Sequence, residues 1–309
     1  MIYTVTFNPA VDYVMQISDV KLGQINRSAK EEVYFGGKGL NVSQVLKQLD
    51  VDSCALGFAA GFTGAAIEAG MQEQGIRTDF VFISEGCSRI NVKLKSGVET
   101  ELNGQGPEIG REDIAQLFYK LNNLKSGDVL VLAGSVPKSV PEDIYEQIMC
   151  ALSENGVKFV VDASGALLTN SLKYRPFLVK PNKDELADLF GMQLDSPSVI
   201  VDCAKELKRM GAQNVLVSMG SEGSILVDEN GNIGYVAVPE GGIVLNTVGA
   251  GDAMVAGFLA GYLESQDYNM AHLMGVACGS ATAYSPGLAK RDEIMVLLSD
   301  LMTGGVMAL

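Results

Sequence analysis

The chain has 309 residues, 47% of them hydrophobic and 19% charged, which supplies material for a large core and makes no case for disorder. Lys and Arg number 23 against 37 Asp and Glu, a net charge of −14 that argues against nucleic acid and against an anionic membrane surface, since both favour a basic face. One histidine, His272, leaves Ser-His-Asp, Cys-His and multi-histidine metal chemistry little to work with, so acid–base work falls to a carboxylate.

A length prior of about 150 residues per domain allows two domains, but one α/β domain with an insertion fits equally well. Strands are predicted at Ile2–Phe7, Ser53–Phe58, Asp128–Leu132, Phe159–Asp162, Phe177–Val179 and Asn214–Ser218. Helical patterns fall between them at Leu40–Leu49, Thr63–Gln74, Arg111–Leu121, Pro141–Glu154 and Val199–Met210. The runs Val129–Leu132 and Phe159–Val161 are apolar without alternation, as in strands covered on both faces, and strand–helix repetition implies a mainly parallel sheet between helical layers. Tyr13–Ile17 with Glu31–Phe35, and Arg89–Lys95 with Val98–Leu102, alternate without an intervening helix. They predict a small antiparallel sheet serving as a lid, built from insertions at about 12–36 and 88–104, with Ser96-Gly97 as a tight hairpin turn. After Gly231 one more β pair is expected, and Ala250 to Met302 reads as helical.

The opening Met-Ile-Tyr-Thr-Val-Thr-Phe reads as a strand rather than a leader, and no apolar run reaches the roughly 18 residues of a membrane span. The cysteines, Cys54, Cys87, Cys150, Cys203 and Cys278, are odd in number, far apart and free of C-x-x-C. That points away from a disulfide framework or zinc site and toward a reducing, cytoplasmic setting. Cys278 is expected to act as a small hydrophobe, and His272 to pack or hydrogen-bond on its helix.

The strongest local signal is Asn246-Thr-Val-Gly-Ala-Gly-Asp252, running into the helical pattern Ala253–Tyr262. A glycine turn feeding a helix start aims unpaired N–H groups and the positive end of the helix dipole at one point, an anion hole suited to a phosphoryl group in transit. The dipole is expected to keep Asp252 ionised, so that it could accept a proton from a hydroxyl beside the anion; the plainer role is a helix cap. A second signal is Gly36-Gly-Lys-Gly-Leu-Asn41, preceded by Asn8-Pro-Ala-Val-Asp12. Glycines let a ligand touch the backbone, Lys38 adds charge, and Asp12 with Asn41 offers the donors and acceptors a polyol needs; a plain turn and a surface Asp are the alternative. Neither a P-loop nor a G-x-G-x-x-G opening the first helix is present, which disfavours a nucleotide-dependent oxidoreductase.

Together these segments resemble the two signature regions of the ribokinase-like, or PfkB, family of carbohydrate kinases. Asn26-Arg27 and Arg89-Ile-Asn-Val-Lys-Leu are similar to its phosphosugar branch. The resemblance covers the whole chain and implies one domain over 1–309, a three-layer α/β/α ribokinase-like fold with a small β lid. It implies transfer of the ATP γ-phosphoryl group to a ketose phosphate, with fructose 1-phosphate expected, tagatose 6-phosphate the alternative acceptor, and a silent sugar-phosphate sensor the alternative of another class.

On that likeness Asp252 matches the base, and Gly249, Ala250 and Gly251 the anion hole. Asp12, Gly36, Gly37, Lys38, Asn41, Arg89, Arg27 and Asn103 match acceptor contacts. Lys180, Asn182, Ser218, Gly220, Gly223, Gly251, Gly275 and Gly279 match the ATP site. Asn182 and Glu185 match an N-x-x-E motif that holds Mg²⁺, largely through water; the same spacing fits a helix cap with its capping-box acid. Lys38 and Arg89 in so acidic a chain favour a phosphorylated acceptor. Sugar phosphate and ATP are the expected partners; the sequence leaves the oligomeric state open, with a homodimer as one option.

Overall fold

Val129-Leu-Val-Leu-Ala133 shows how the centre is built: Leu130 and Leu132 enter one buried cluster, Val129, Val131 and Ala133 another on the opposite face. The computed structural model describes residues 1–304 and 306–308, so residues 305 and 309 of the expected range lie outside the described residues. In chain order the strands are β1 (Ile2–Thr6), β2 (Ala10–Gln16), β3 (Lys30–Gly36), β4 (Ser53–Ala60), β5 (Arg77–Thr78), β6 (Val81–Ile83), β7 (Arg89–Lys95), β8 (Thr100–Asn103), β9 (Val129–Ala133), β10 (Lys158–Asp162), β11 (Leu178–Val179), β12 (Asn214–Ser218), β13 (Ser224–Val227), β14 (Ile233–Val236) and β15 (Met307–Ala308). The main sheet runs β15-β14-β13-β12-β11-β10-β9-β1-β4-β5, with β6 also on β4. It is parallel from β12 to β5 and antiparallel at the β13–β15 edge.

Helices α1 (Lys38–Gln48), α8 (Ala250–Ser265), α9 (Tyr268–Ala283) and α10 (Arg291–Gly304) cover one face. The other face is covered by α3 (Arg111–Leu121), α4 (Ile144–Ala151), α5 (Gly165–Ser171), α6 (Lys183–Phe190) and α7 (Pro197–Met210). Helix α2 (Gly61–Glu73) packs at the sheet edge with Val11 and Phe35. This is the ribokinase-like three-layer α/β/α architecture.

A second sheet, of order β3-β2-β7-β8, stands apart from the first. It is mixed rather than antiparallel as expected, because β2 and β7, separated by a long connection, run parallel between two antiparallel pairs. Its register puts Asp12 beside Asn91 and Asn91 opposite Asn103, while Tyr13, Val33, Val92 and Leu102 share the other face. The tight turn expected at Ser96-Gly97 does not form. Lys95 is held in register with Gln16 and Leu94 pairs Thr100, so residues 95–99 form a longer connection, and Gly97 lacks the positive φ of a two-residue hairpin. The helix expected from Pro141 starts at Ile144, because a turn comes first, with Ile144 N–H donating to Pro141 O. Among the described residues, no helix is long and apolar enough to cross a membrane.

Candidate active site

The carboxyl ends of β1, β9, β10, β11 and β12 open on one side of the sheet, where open α/β sheets bind ligands. There the two sheets enclose a cleft of about 1170 Å³. Its floor is the start of α8. Gly249 caps the helix at φ 82, a conformation that glycine adopts without strain, and Ala253 N–H makes the first helical bond, to Gly249 O. Ala250 N–H is turned back to Thr247 O at 3.3 Å, so Gly251 and Asp252 supply the N–H groups without intrahelical partners.

Asp252 is buried in the first turn, and Asn41 Nδ2 of α1 donates to its Oδ2 at 2.7 Å. The dipole does not set its protonation as expected. Burial and the nearby Asp162 carboxylate outweigh Asn41, Lys38 and Lys180 and push its pKa up to about 7. Asp162, the last residue of β10, receives two ammonium groups on Oδ1, from Lys38 and Lys180, each at 3.4 Å, while its buried Oδ2 has no partner. Lys180 follows β11, and its Nζ lies against Gly251 at the helix start. Burial works against the charge of Lys38, but Asp162, Asp252 and Glu185 overcome it and raise its pKa. Asp162 was not among the residues singled out from sequence; the available signal was a lone acid closing an apolar strand.

At the other end of the cleft lie Asp12, Gly37, Arg89 and Asn103. Gly37 precedes α1 at φ 130, and a Cβ there would stand 2.6 Å from Thr6 Cγ2. Gly36 abuts Asp12 but does not line the cleft. Arg89 Nε donates to Asn8 O at 3.0 Å; burial lowers its pKa and Asp12 only partly offsets this, so an anion would relieve it. Arg27 is not brought to the site. It sits exposed in the β2–β3 connection, beyond Gln16, whereas only the Ala10 end of that hairpin meets the cleft.

Asn182 and Glu185 form the reciprocal cap of α6: Asn182 Oδ1 accepts from Glu185 N–H at 2.7 Å and Glu185 Oε2 from Asn182 N–H at 2.8 Å. Both still line the cleft, as do Ser218, Gly220, Gly223 and Gly279. Gly275 does not. A Cβ there would meet Met254 O at 3.1 Å, so it is a contact glycine between α8 and α9, which looks the same in sequence as a ligand-approach glycine. His272 is buried and shares a 2.7 Å hydrogen bond with Ser224 of β13, away from the cleft, and Cys278 is buried in the core.

The fold and this cleft define a phosphotransferase architecture, and the family model of the "pfkB family carbohydrate kinase" matches residues 5–294. The chain belongs to the pfkB family of carbohydrate kinases. It is 44% identical over 301 residues, 97% of this chain and 98% of the relative, to 1-phosphofructokinase of Bacillus subtilis (strain 168). It is 38% identical, over 95% of this chain and 96% of the relative, to D-tagatose-1-phosphate kinase of Bacillus licheniformis. The crystal structure of phosphofructokinase-2 from Escherichia coli in complex with fructose-6-phosphate superposes with a TM-score of 0.90 at 27% identity, covering 97% of this chain and 99% of that one.

Proposed function

We propose that this kinase transfers the γ-phosphoryl group of ATP to a ketose 1-phosphate, with fructose 1-phosphate as the preferred acceptor and fructose 1,6-bisphosphate as the product. The observation that carries the reading is one cleft with a buried carboxylate, Asp252, at a helix start near Lys38 and Lys180, which pair with Asp162, facing a polyol-reading pair, Asp12 and Asn41, and the cation Arg89. Asp252 takes the proton of the attacking hydroxyl while Asn41 holds its carboxylate in place. The N–H groups of Gly251 and Asp252, with Lys38 and Lys180, stabilise charge on the moving phosphoryl group, the main task in a reaction with a loose transition state. A silent sensor would have no use for such a proton acceptor.

Ser218, Gly220, Gly223 and Gly279 are proposed nucleotide contacts, Lys180 acts at the transferred phosphoryl, and Arg89 with Asn103 reads the acceptor. Among the described residues, no three His, Cys, Asp or Glu side chains gather into a metal cage. Mg²⁺ keeps most of its waters, so Glu185, positioned by Asn182, together with the unpartnered Oδ2 of Asp162, fits it. When bound it would neutralise charge on the ATP phosphates. Two relatives name 1-phosphates of fructose and tagatose, which supports tagatose 1-phosphate rather than tagatose 6-phosphate as the second acceptor. The second sheet is a lid over the acceptor, and its outer face, where Val33, Ile90 and Leu102 are exposed, meets a second copy of the chain.

Coupled measurement of ADP release across fructose 1-phosphate, tagatose 1-phosphate, tagatose 6-phosphate, fructose 6-phosphate and the free sugars tests the reading. The highest kcat/KM is expected for fructose 1-phosphate; preference for a free sugar or a 6-phosphate overturns it.

A further inference from the structure

Arg89, Asn91 and Lys93 alternate along β7 and line the cleft from the same face of the second sheet. Two features of that row have no account in the fold itself. Lys93 is only 14% exposed, and its one ionic contact among the described residues is Glu101 on β8, at 3.7 Å, too long for a hydrogen bond; Glu101 is 43% exposed. Asn91 is 7% exposed; its Nδ2 donates to Asp12 Oδ1 at 2.8 Å, but its Oδ1 has no partner. A lysine side chain so little exposed with only a loose counter-ion, beside an orphaned buried acceptor, leaves two polar groups that a ligand would complete.

We infer that Lys93 is a second cation for the phosphate of the acceptor, with Glu101 as the counter-ion it releases when that phosphate arrives. The inference rests on the phosphorylated-ketose reading above. Residues two apart on a strand rise about 6.6 Å, so Arg89 and Lys93 start about 13 Å apart, and two such long side chains can lean together above the short Asn91 amide. A phosphate held there leaves a sugar hydroxyl next to Asn91 Oδ1, which needs a donor. Glu101, on the rim and mostly in water, can swing away at little cost, while an unphosphorylated sugar offers Lys93 nothing in exchange.

Steady-state kinetics with fructose 1-phosphate and ATP varied separately tests it. Lys93→Met should raise KM for fructose 1-phosphate by about tenfold or more, the scale of one charge-assisted hydrogen bond, and leave KM for ATP within about threefold. Lys93→Arg should hold KM for the acceptor within about threefold of the parent, and Glu101→Gln, which frees the ammonium beforehand, should lower it by about threefold. An unchanged acceptor KM in Lys93→Met, or a rise in KM for ATP alone, overturns the inference while the ketose phosphate reading stands. If Lys93→Met does not fold, an acceptor KM unmoved by Glu101→Gln overturns it equally. A parent enzyme active only on unphosphorylated sugars removes the reading and the inference together.

Discussion

On the proposed reading Asp252 and Arg89 divide the work of the cleft, and each gives a measurable expectation. Asp252→Asn should lose about 10²–10³ in kcat, since a positioned base contributes on that scale, while Mg-ATP binding measured by calorimetry persists. Because Asp252 is pushed up to about 7, log kcat/KM for the parent should climb with pH below about 7 and level off above it. An aspartate at its ordinary value would give a flat profile from pH 5 to 9. Arg89→Ala should raise KM for the sugar phosphate at least about tenfold and leave KM for ATP within about threefold. Damage confined to ATP binding would assign this cation to the nucleotide instead.

At the scale of elements, the second sheet is held to the first mainly at its Ala10 end, through Val11, Phe35 and the Arg89–Asn8 bond, and its β8 strand is exposed throughout. Strands with so few buried contacts open locally at low free-energy cost. Closing them over the acceptor would exclude water that competes for the γ-phosphoryl group. Hydrogen exchange across residues 89–104 should therefore slow when fructose 1-phosphate is added. Unchanged exchange at demonstrated saturation would show that this sheet does not close.

At the scale of the whole molecule, the buried charge and the uncovered apolar face each have a consequence. The folded-state pKa of Asp252 lies above its unfolded value of about 3.9, so the folded state binds the proton more tightly between that pH and about 7. Stability from this group is present at low pH and is lost as pH rises through that window. Asp252→Asn should accordingly melt above the parent at pH 8, with the gap closing toward pH 4; a lower Tm at pH 8 would contradict the burial argument. The proposed dimer predicts a light-scattering mass twice that of the chain, falling to a single chain in Val33→Glu/Leu102→Glu. A parent that is monomeric at micromolar concentration would leave that face to solvent.

Much of this was written locally. Period-two and unbroken apolar runs specify strands whichever neighbours they acquire, so the layered fold and the separate small sheet were legible, as were Asp252, Asn41 and the Gly36–Gly37 turn, each set by a few adjacent residues. Tertiary structure alone decided which charges meet. Asp162, Lys38 and Lys180 come from three separate elements; burial and Asp162 raise the Asp252 pKa that the helix dipole by itself would have lowered, and the two lysines only partly offset them. The same limit misplaced Arg27 and Gly275 and hid Lys93, because which end of a hairpin reaches the cleft and which side of a helix meets another helix are facts of register and packing. Local sequence encodes backbone preference and burial, but electrostatics acts through distance in space, and only the folded chain sets those distances.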